Sequence, residues 1–211
     1  MITMNGTTLK TAEDLIDHLL SLREITDREA FLHPDYEKHI SSPWVLHDME
    51  VAVARIMDAM KRDEHIVIYA DFDADGIPGA VILHDTFQKI GYKNFSVYIP
   101  HRHTEGYGVH TGAIDEIHGR DAKLIITVDV GISYPEAVAY AGGLSIDVIV
   151  TDHHEVPAEK PDAVALVHPK LGNYSDPNIC GAAVAFQLVR EKKKKMDHDV
   201  HDGWEKWLLD M

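Results

Sequence analysis

The stretch HIVIYADFDADGIPG, residues 65–79, constrains this chain more than any other. Ile66, Val67, Ile68 and Tyr69 make a short, unbroken apolar run, the pattern of a strand buried on both faces of a parallel sheet. Asp71, Asp73 and Asp75 follow at once, and then Gly76. In extended backbone alternate side chains point the same way, so three carboxylates can gather on one side of the strand end. Held that close they repel unless a cation or shared protons neutralise them. A divalent metal is the simplest neutraliser. The plainer reading is a polar turn with a helix cap, since Asp is common in turns. A cap, however, requires one Asp, and here there are three.

From His65 onward apolar runs alternate with helix-like segments. After a strand over 66–71 the pattern predicts a helix over 77–90 and a strand from Phe95 to Ile99. A loop over 100–108 leads to a short helix near 111–118. Next come a strand from Leu124 to Val128, a helix from Tyr134 to Ala141 and a strand from Ile146 to Val150. One more short strand is expected from Ala163 to Val167. Such alternation predicts an α/β fold, a parallel β-sheet flanked by helices on both faces, with ligands at the carboxyl ends of the strands. A helix from Gly181 to Lys195 and the start of another at Trp204–Met211 complete the reading. Upstream, Leu15, Ile16, Leu19, Leu20 and Leu22 predict a capped amphipathic helix over 11–24. The two prolines between Ile25 and Pro43 predict short helices and loop, and Met49, Val53, Ile56, Met57 and Met60 predict a helix over 47–61. These segments form an N-terminal helical preface.

Three strand ends then supply metal-type ligands: Asp71, Asp73 and Asp75 after the first, Asp129 after LIITV, and Asp152, His153 and His154 after DVIVT. One acidic residue after an apolar strand is commonplace. Three such ends in one sheet are not, because neighbouring strands lie only ~5 Å apart. Carboxylates with one or two imidazoles suit Mn2+, Mg2+ or Zn2+. The number of carboxylates points to two ions with one Asp bridging, the arrangement that clamps the attacking and leaving oxygens of a phosphoryl displacement.

Composition narrows the partners. The 211 residues are 45% hydrophobic, enough for one large domain or a domain with a small helical attachment. No run of ~18 apolar residues is present, so no membrane span is expected, and the N-terminus lacks the marks of a secretory signal. A single cysteine, Cys180, excludes an intramolecular disulfide and fits a reducing cytoplasm. We expect it to pack at a helix start beside Gly181. The formal charge of −15, from 20 Lys+Arg and 35 Asp+Glu, argues against coating nucleic acid by bulk charge. A local basic groove, or a metal site that binds phosphates, remains compatible with it. Lys192–Lys195 reads either as a solvated helix end favoured by the dipole or as a phosphate contact.

DFDADG, TVDVGIS and TDHH, in this order on alternating strands, resemble the DHH phosphoesterase superfamily, named for the triplet present as Asp152-His153-His154. SPWVLHDMEVAVARIMDAM, the loop IPHRHTEGYGV and HPK…ICGAAVAFQL resemble, within it, the RecJ-type single-strand-specific exonucleases. The resemblance runs from about Arg23 onward. It implies metal-dependent phosphodiester hydrolysis, from the 5′ end of single-stranded DNA, with Mn2+ or Mg2+ as a pair of ions. It implies Asp73, Asp75, Asp129 and His153 as metal ligands, and Asp71 as a ligand or the residue that orients one. His154 would contact the scissile phosphate or assist the leaving oxygen, and Asp152 would hold a histidine in its tautomer without itself binding metal. Arg102 would clamp phosphate, while Gly106 and Gly108 would let backbone approach the substrate. The implied division is an N-terminal helical segment over 1–62, packed on the core, and a DHH catalytic domain over 63–211, truncated before a second substrate-binding domain. A further metal-binding aspartate is expected just beyond Met211. Single-stranded nucleic acid is the implied partner, with a further domain or repair proteins as others. Two alternatives stand beside this reading: a DHH hydrolase of short oligonucleotides, cyclic dinucleotides or small phosphate esters, and a non-catalytic nucleic-acid or replication-associated scaffold.

Overall fold

The computed structural model describes residues 2–4, 7–190 and 208, which fall into two compact units, 1–41 and 42–211. In the first unit a two-stranded antiparallel pair, β1 (Ile2–Met4) and β2 (Thr7–Leu9), precedes helix α1 (Ala12–Leu22). The pair adds to the sequence reading: its strands have three residues each, too few to show alternation, although they flank Asn5-Gly6, a strong hairpin dipeptide. Thr11 and Asp14 cap α1 reciprocally, Thr11 accepting from the Asp14 N–H and Asp14 from the Thr11 N–H. Two short helices, α2 (Arg28–Leu32) and α3 (Tyr36–His39), complete this unit.

The second unit opens with a 3₁₀ turn, Pro43–Val45, and helix α4 (Met49–Lys61), and then alternates as expected. The elements are β3 (His65–Ala70), α5 (Gly76–Lys89), β4 (Phe95–Tyr98), α6 (Thr111–Gly119), β5 (Ala122–Val128), α7 (Pro135–Gly143), β6 (Asp147–Thr151), β7 (Ala165–Val167) and α8 (Gly181–Arg190). Each lies within a few residues of its expected span. The expected continuation of α8 through Lys192–Lys195, and the helix from Trp204, lie outside the described residues apart from Leu208.

The five strands β3 to β7 form one parallel sheet in the order β4-β3-β5-β6-β7. Val67, Tyr69, Ile125, Val148 and Val150 point to one face, where Ile114 and Ile117 of α6 and Val138 and Ala141 of α7 cover them. The opposite face, with Ile66, Ile68, Leu124, Ile126 and Ile149 fully buried, carries α4, α5 and α8. Burial on both faces explains why these strands are apolar without alternation.

The strand order has one consequence for function. The chain leaves β3 toward β4 by way of α5, but leaves β5 toward β6 by way of α7, on the other face. Neighbouring strands whose crossovers diverge leave a crevice beyond their carboxyl ends, the usual ligand position in an open α/β sheet. That crevice lies between Asp71 and Asp129.

Candidate metal centre

Asp129 is the hub of the site. Its N–H is anchored on the Thr151 carbonyl (2.9 Å), and its φ of 61° lies in the left-handed region, which turns the chain sharply off the end of β5. The side chain is fully buried, and neither carboxylate oxygen has an aligned hydrogen-bond donor. His153 Nε2 stands 3.2 Å from Oδ1. Burial, then the charge of Asp75 and the proximity of Asp73, push the Asp129 carboxyl up to about 9. A carboxylate with both oxygens orphaned in a dry site is costly unless something cationic sits against it.

The other acidic residues are arranged around this one. Asp71, Asp73 and Asp129 can bring one oxygen each within 4.8 Å of one another, and Asp129, His153 and His154 can do the same with their ligand atoms. Asp129 therefore belongs to two triads at once, as a bridging carboxylate must. Asp73 Oδ1 accepts the N–H groups of Asp75 (3.3 Å) and Gly76 (3.0 Å), so the loop curls around its own side chain. Burial alone would raise Asp73, but the Gly76 N–H and a proton shared with Asp129 hold it below the ordinary range. Asp71 is 2% exposed and raised, by burial first and by the Asp73 charge, against the lowering effect of the Phe72 N–H.

Asp75 lies 3.5 Å from His153 Nε2 and accepts the Gly181 N–H (2.8 Å) at the start of α8. A Cβ at Gly181 would come within 2.4 Å of Asp129 Oδ1, so only glycine lets that helix start approach both carboxylates. Cys180, beside it, is exposed instead of packed, a correction to the sequence reading: Gly181, and not the cysteine, makes the close approach.

Asp152 is not a candidate ligand here. Its Oδ1 accepts the N–H groups of His153 (2.7 Å) and His154 (3.1 Å) and lies 2.7 Å from His154 Nδ1, while Oδ2 accepts the Ile132 N–H (2.9 Å). Burial would raise it, yet the His154 hydrogen bond and these N–H groups outweigh burial and hold the carboxyl low. An ionised carboxylate only accepts, so His154 carries its proton on Nδ1. The same bond raises His154 toward the charged form, leaving Nε2 facing Tyr107 Oη at 3.5 Å. His154 is thus set up as a donor more than as a ligand, and the second group keeps Asp129 and His153, with Asp75 Oδ2 3.5 Å from the same His153 nitrogen.

Sequence reasoning missed a second support. His168 is fully buried; its Nδ1 accepts the Lys170 N–H (3.1 Å), so Nε2–H donates to the His154 carbonyl (3.0 Å). Nothing in a lone HPK triplet marks that role. In the loop after β4, the Arg102 guanidinium lies 4.5 Å over the Phe72 ring, beside the first acidic motif. Gly106 (φ 82°) has open space where a Cβ would be, whereas Gly108 (φ 112°) lies against Tyr134, so packing demands the second glycine.

Fold and site together define an α/β protein with an acidic, histidine-flanked centre at the switch point of its sheet, whose orphaned buried carboxylate fits a divalent cation. The chain belongs to the DHH family, whose N-terminal-domain sequence model matches residues 65–209. It is 40% identical over 161 residues to the single-stranded-DNA-specific exonuclease RecJ of Bacillus subtilis (strain 168), covering 75% of this chain and 20% of that protein. It is 37% identical over 150 residues to RecJ of Escherichia coli (strain K12), covering 70% and 26%. The chain thus spans a fifth to a quarter of these relatives. The crystal structure of exonuclease RecJ bound to manganese superimposes with a TM-score of 0.68 at 31% identity, over 75% of this chain and 40% of that one. RecJ from Thermus thermophilus in complex with Mn2+ gives 0.60 at 26% identity, over 73% and 22%. No helix among the described residues is long and apolar enough to cross a membrane.

Proposed function

We propose that this domain hydrolyses phosphodiester bonds of single-stranded DNA from the 5′ end, using Mn2+ or Mg2+ held by Asp71, Asp73, Asp75, Asp129 and His153. The observation that carries the proposal is Asp129, buried, without an aligned donor and shared between two triads. Kinship with RecJ exonucleases supports the choice of substrate. When bound, paired divalent ions lower the pKa of coordinated water and stabilise charge on a reacting phosphate. The chain's own residues do the rest. Asp152 and His168 fix the tautomer and the backbone of His154, so that Nε2 is presented to the phosphate. Arg102, steadied over Phe72, offers a guanidinium to a phosphate oxygen. The single cysteine, exposed and unpaired, supports a reducing cytoplasmic setting.

The test is a time course on 5′- and 3′-end-labelled single strands with Mn2+. Mononucleotides released first from the 5′ end, and abolished by a chelator or by Asp129→Asn, are the expected result. Hydrolysis insensitive to both would overturn the assignment.

A further inference from the structure

The two outer strands of the sheet are finished differently. Beyond β7 the edge is closed: Leu166 donates its N–H to Asp48 Oδ2 (3.0 Å), and its carbonyl lies 3.1 Å from His47 Nδ1. Side chains there take the place of a further strand. Beyond β4 no strand follows. The Ile66 N–H bonds the Asn94 carbonyl (3.1 Å) and Ile66 pairs with Phe95. In a parallel pair this turns the backbone groups of Asn94, Ser96 and Tyr98 toward β3, and those of Phe95, Val97 and Ile99 outward. The Phe95 N–H is used within its own chain, on the Lys93 carbonyl (2.9 Å). The Phe95 carbonyl, the Val97 N–H and carbonyl, and the Ile99 N–H have no hydrogen bond among the described residues. Natural sheets blunt an open edge with charge, proline or a bulge. Phe95–Tyr98 carries none of these. The helix beside it is apolar as well. His84 of α5 packs edge-on to Phe95 at 5.3 Å, so the α5 face that carries Ile77, Val81 and His84 at helical spacing flanks β4. Ile77 and Val81 are each 42% exposed, and Ile99 is 40% exposed.

We infer that this edge is an interface between two copies of the chain, β4 pairing antiparallel with β4 of a second copy about a two-fold axis at Val97. Residues directly opposite in such a pair exchange both backbone bonds. Val97 then exchanges two bonds with its own counterpart, and each Ile99 N–H meets the Phe95 carbonyl of the other copy. The unused backbone groups are therefore self-complementary, as a two-fold interface requires. The flanks match too. Continuing that register, Lys93 comes opposite His101, whose N–H is held by the Glu105 carboxylate (2.7 Å). Neither Lys93 nor Glu105 has an ion pair among the described residues, so each end of the joint brings an unpaired cation to an unpaired anion. On the α5 side, each helix packs chiefly on its own β3. The two helices then lie roughly three strand spacings apart, about 14 Å. As helices are ~10–12 Å across, only a narrow gap remains between the two Ile77–Val81 faces, floored by Phe95, Val97 and Ile99 of both copies. The strands of the two copies run in opposite directions, so the acidic centres stay open at opposite ends of the joined sheet.

The experiment is sedimentation velocity on the 211-residue chain through the micromolar range. It is run near physiological ionic strength, where repulsion between two chains of net charge −15 is largely screened beyond ~8 Å. The wild type should pass from monomer to dimer as concentration rises. Val97→Lys and Val97→Glu each set two like charges face to face across the axis, and each should raise the dissociation constant about tenfold or more. Because Val97 meets only its own counterpart, an equimolar mixture of the two variants should restore the dimer. Melting curves verify that each variant is folded. A wild type that stays monomeric throughout overturns the interface. So does a dimer unmoved by either substitution, which would lie on another surface. Two monomeric variants that fail to recombine overturn the two-fold register at Val97. Mass and not turnover is the readout, so the interface stands or falls apart from the nuclease reading.

Discussion

The two ends of the same sheet treat charge in opposite ways. At the amino ends, Arg55 of α4 donates to Asp147 Oδ2 (2.6 Å) and Glu64 Oε2 (2.7 Å), and His65 bridges Ser96 and the Arg120 carbonyl. At the carboxyl ends, Asp71, Asp73, Asp75 and Asp129 converge, and among the described residues no lysine or arginine pairs with any of them; His153 and His154 are their basic neighbours. Both arrangements cost desolvation. One is neutralised within the chain, so it serves the fold. The other leaves a deficit for a cation to fill, which is what a site for chemistry requires.

The largest effect should come from deleting a carboxylate at the deficient end. Asp129→Asn or Asp73→Ala should abolish Mn2+ binding in a calorimetric titration. The same variants should lower hydrolysis about 10³-fold or more, ~4 kcal/mol in barrier. Unchanged stoichiometry and affinity in both variants would erase the contrast between the ends.

At the paired end the expected change is in stability. Arg55 and Glu64 are each 14% exposed, whereas Asp147 is 48% exposed. Arg55→Ala removes the nearer partner of a mostly buried Glu64 carboxylate and leaves it Arg62 alone, at 3.4 Å, so it should cost ~1–3 kcal/mol in urea unfolding. An equal loss in the metal-free Asp129→Asn variant would show that the acidic cluster is structural too.

Metal should act on one end only. Mn2+ at a hundredfold excess over its Kd should stabilise the wild type by about 2.7 kcal/mol, several degrees in melting temperature. Arg55→Ala should keep that response and Asp129→Asn should lose it. A wild-type melt indifferent to Mn2+ and to chelator would count against a formed site.

The smallest effect sharpens the comparison through pH, in the metal-free protein. The Asp129 carboxyl is raised to about 9 in the folded chain, against ~3.9 unfolded. Between those values the folded state holds a proton that the unfolded state has released. The stability it contributes is therefore full below about pH 4 and lost as pH rises toward 9. Asp129→Asn should gain on the wild type across that window, by ~1–2 kcal/mol once water entry and local relaxation are allowed for. A difference that stays flat from pH 4 to 9 would mean that Asp129 is not isolated from solvent and counter-charge.

Much of this was legible in the chain itself. Ile66–Tyr69 and Leu124–Val128 are strands because β-branched and apolar side chains fit a sheet covered on both faces, and each run hands its acidic motif to the strand end. The Thr11–Asp14 cap was likewise local and readable. The opening strand pair was not read, since three-residue strands carry no period and Asn5-Gly6 alone had to signal it. Nor was the division after Ser41, which places α4 in the same unit as the sheet, because compactness depends on contacts that no window of sequence contains.

The sequence by itself determined which elements form and which residue types stand at their ends, because backbone sterics and hydrophobic period act over a few residues. Tertiary structure alone decided the rest. The order β4-β3-β5-β6-β7 set β3 beside β5, so that Asp71, Asp73 and Asp129 meet. Packing brought Gly181 to Asp75 across 106 residues of chain and turned Ile132 onto Asp152. It also left both oxygens of Asp129 without an aligned donor in a buried site. A carboxylate's need for a cation depends on what surrounds it, and those surroundings exist only once distant strands have packed.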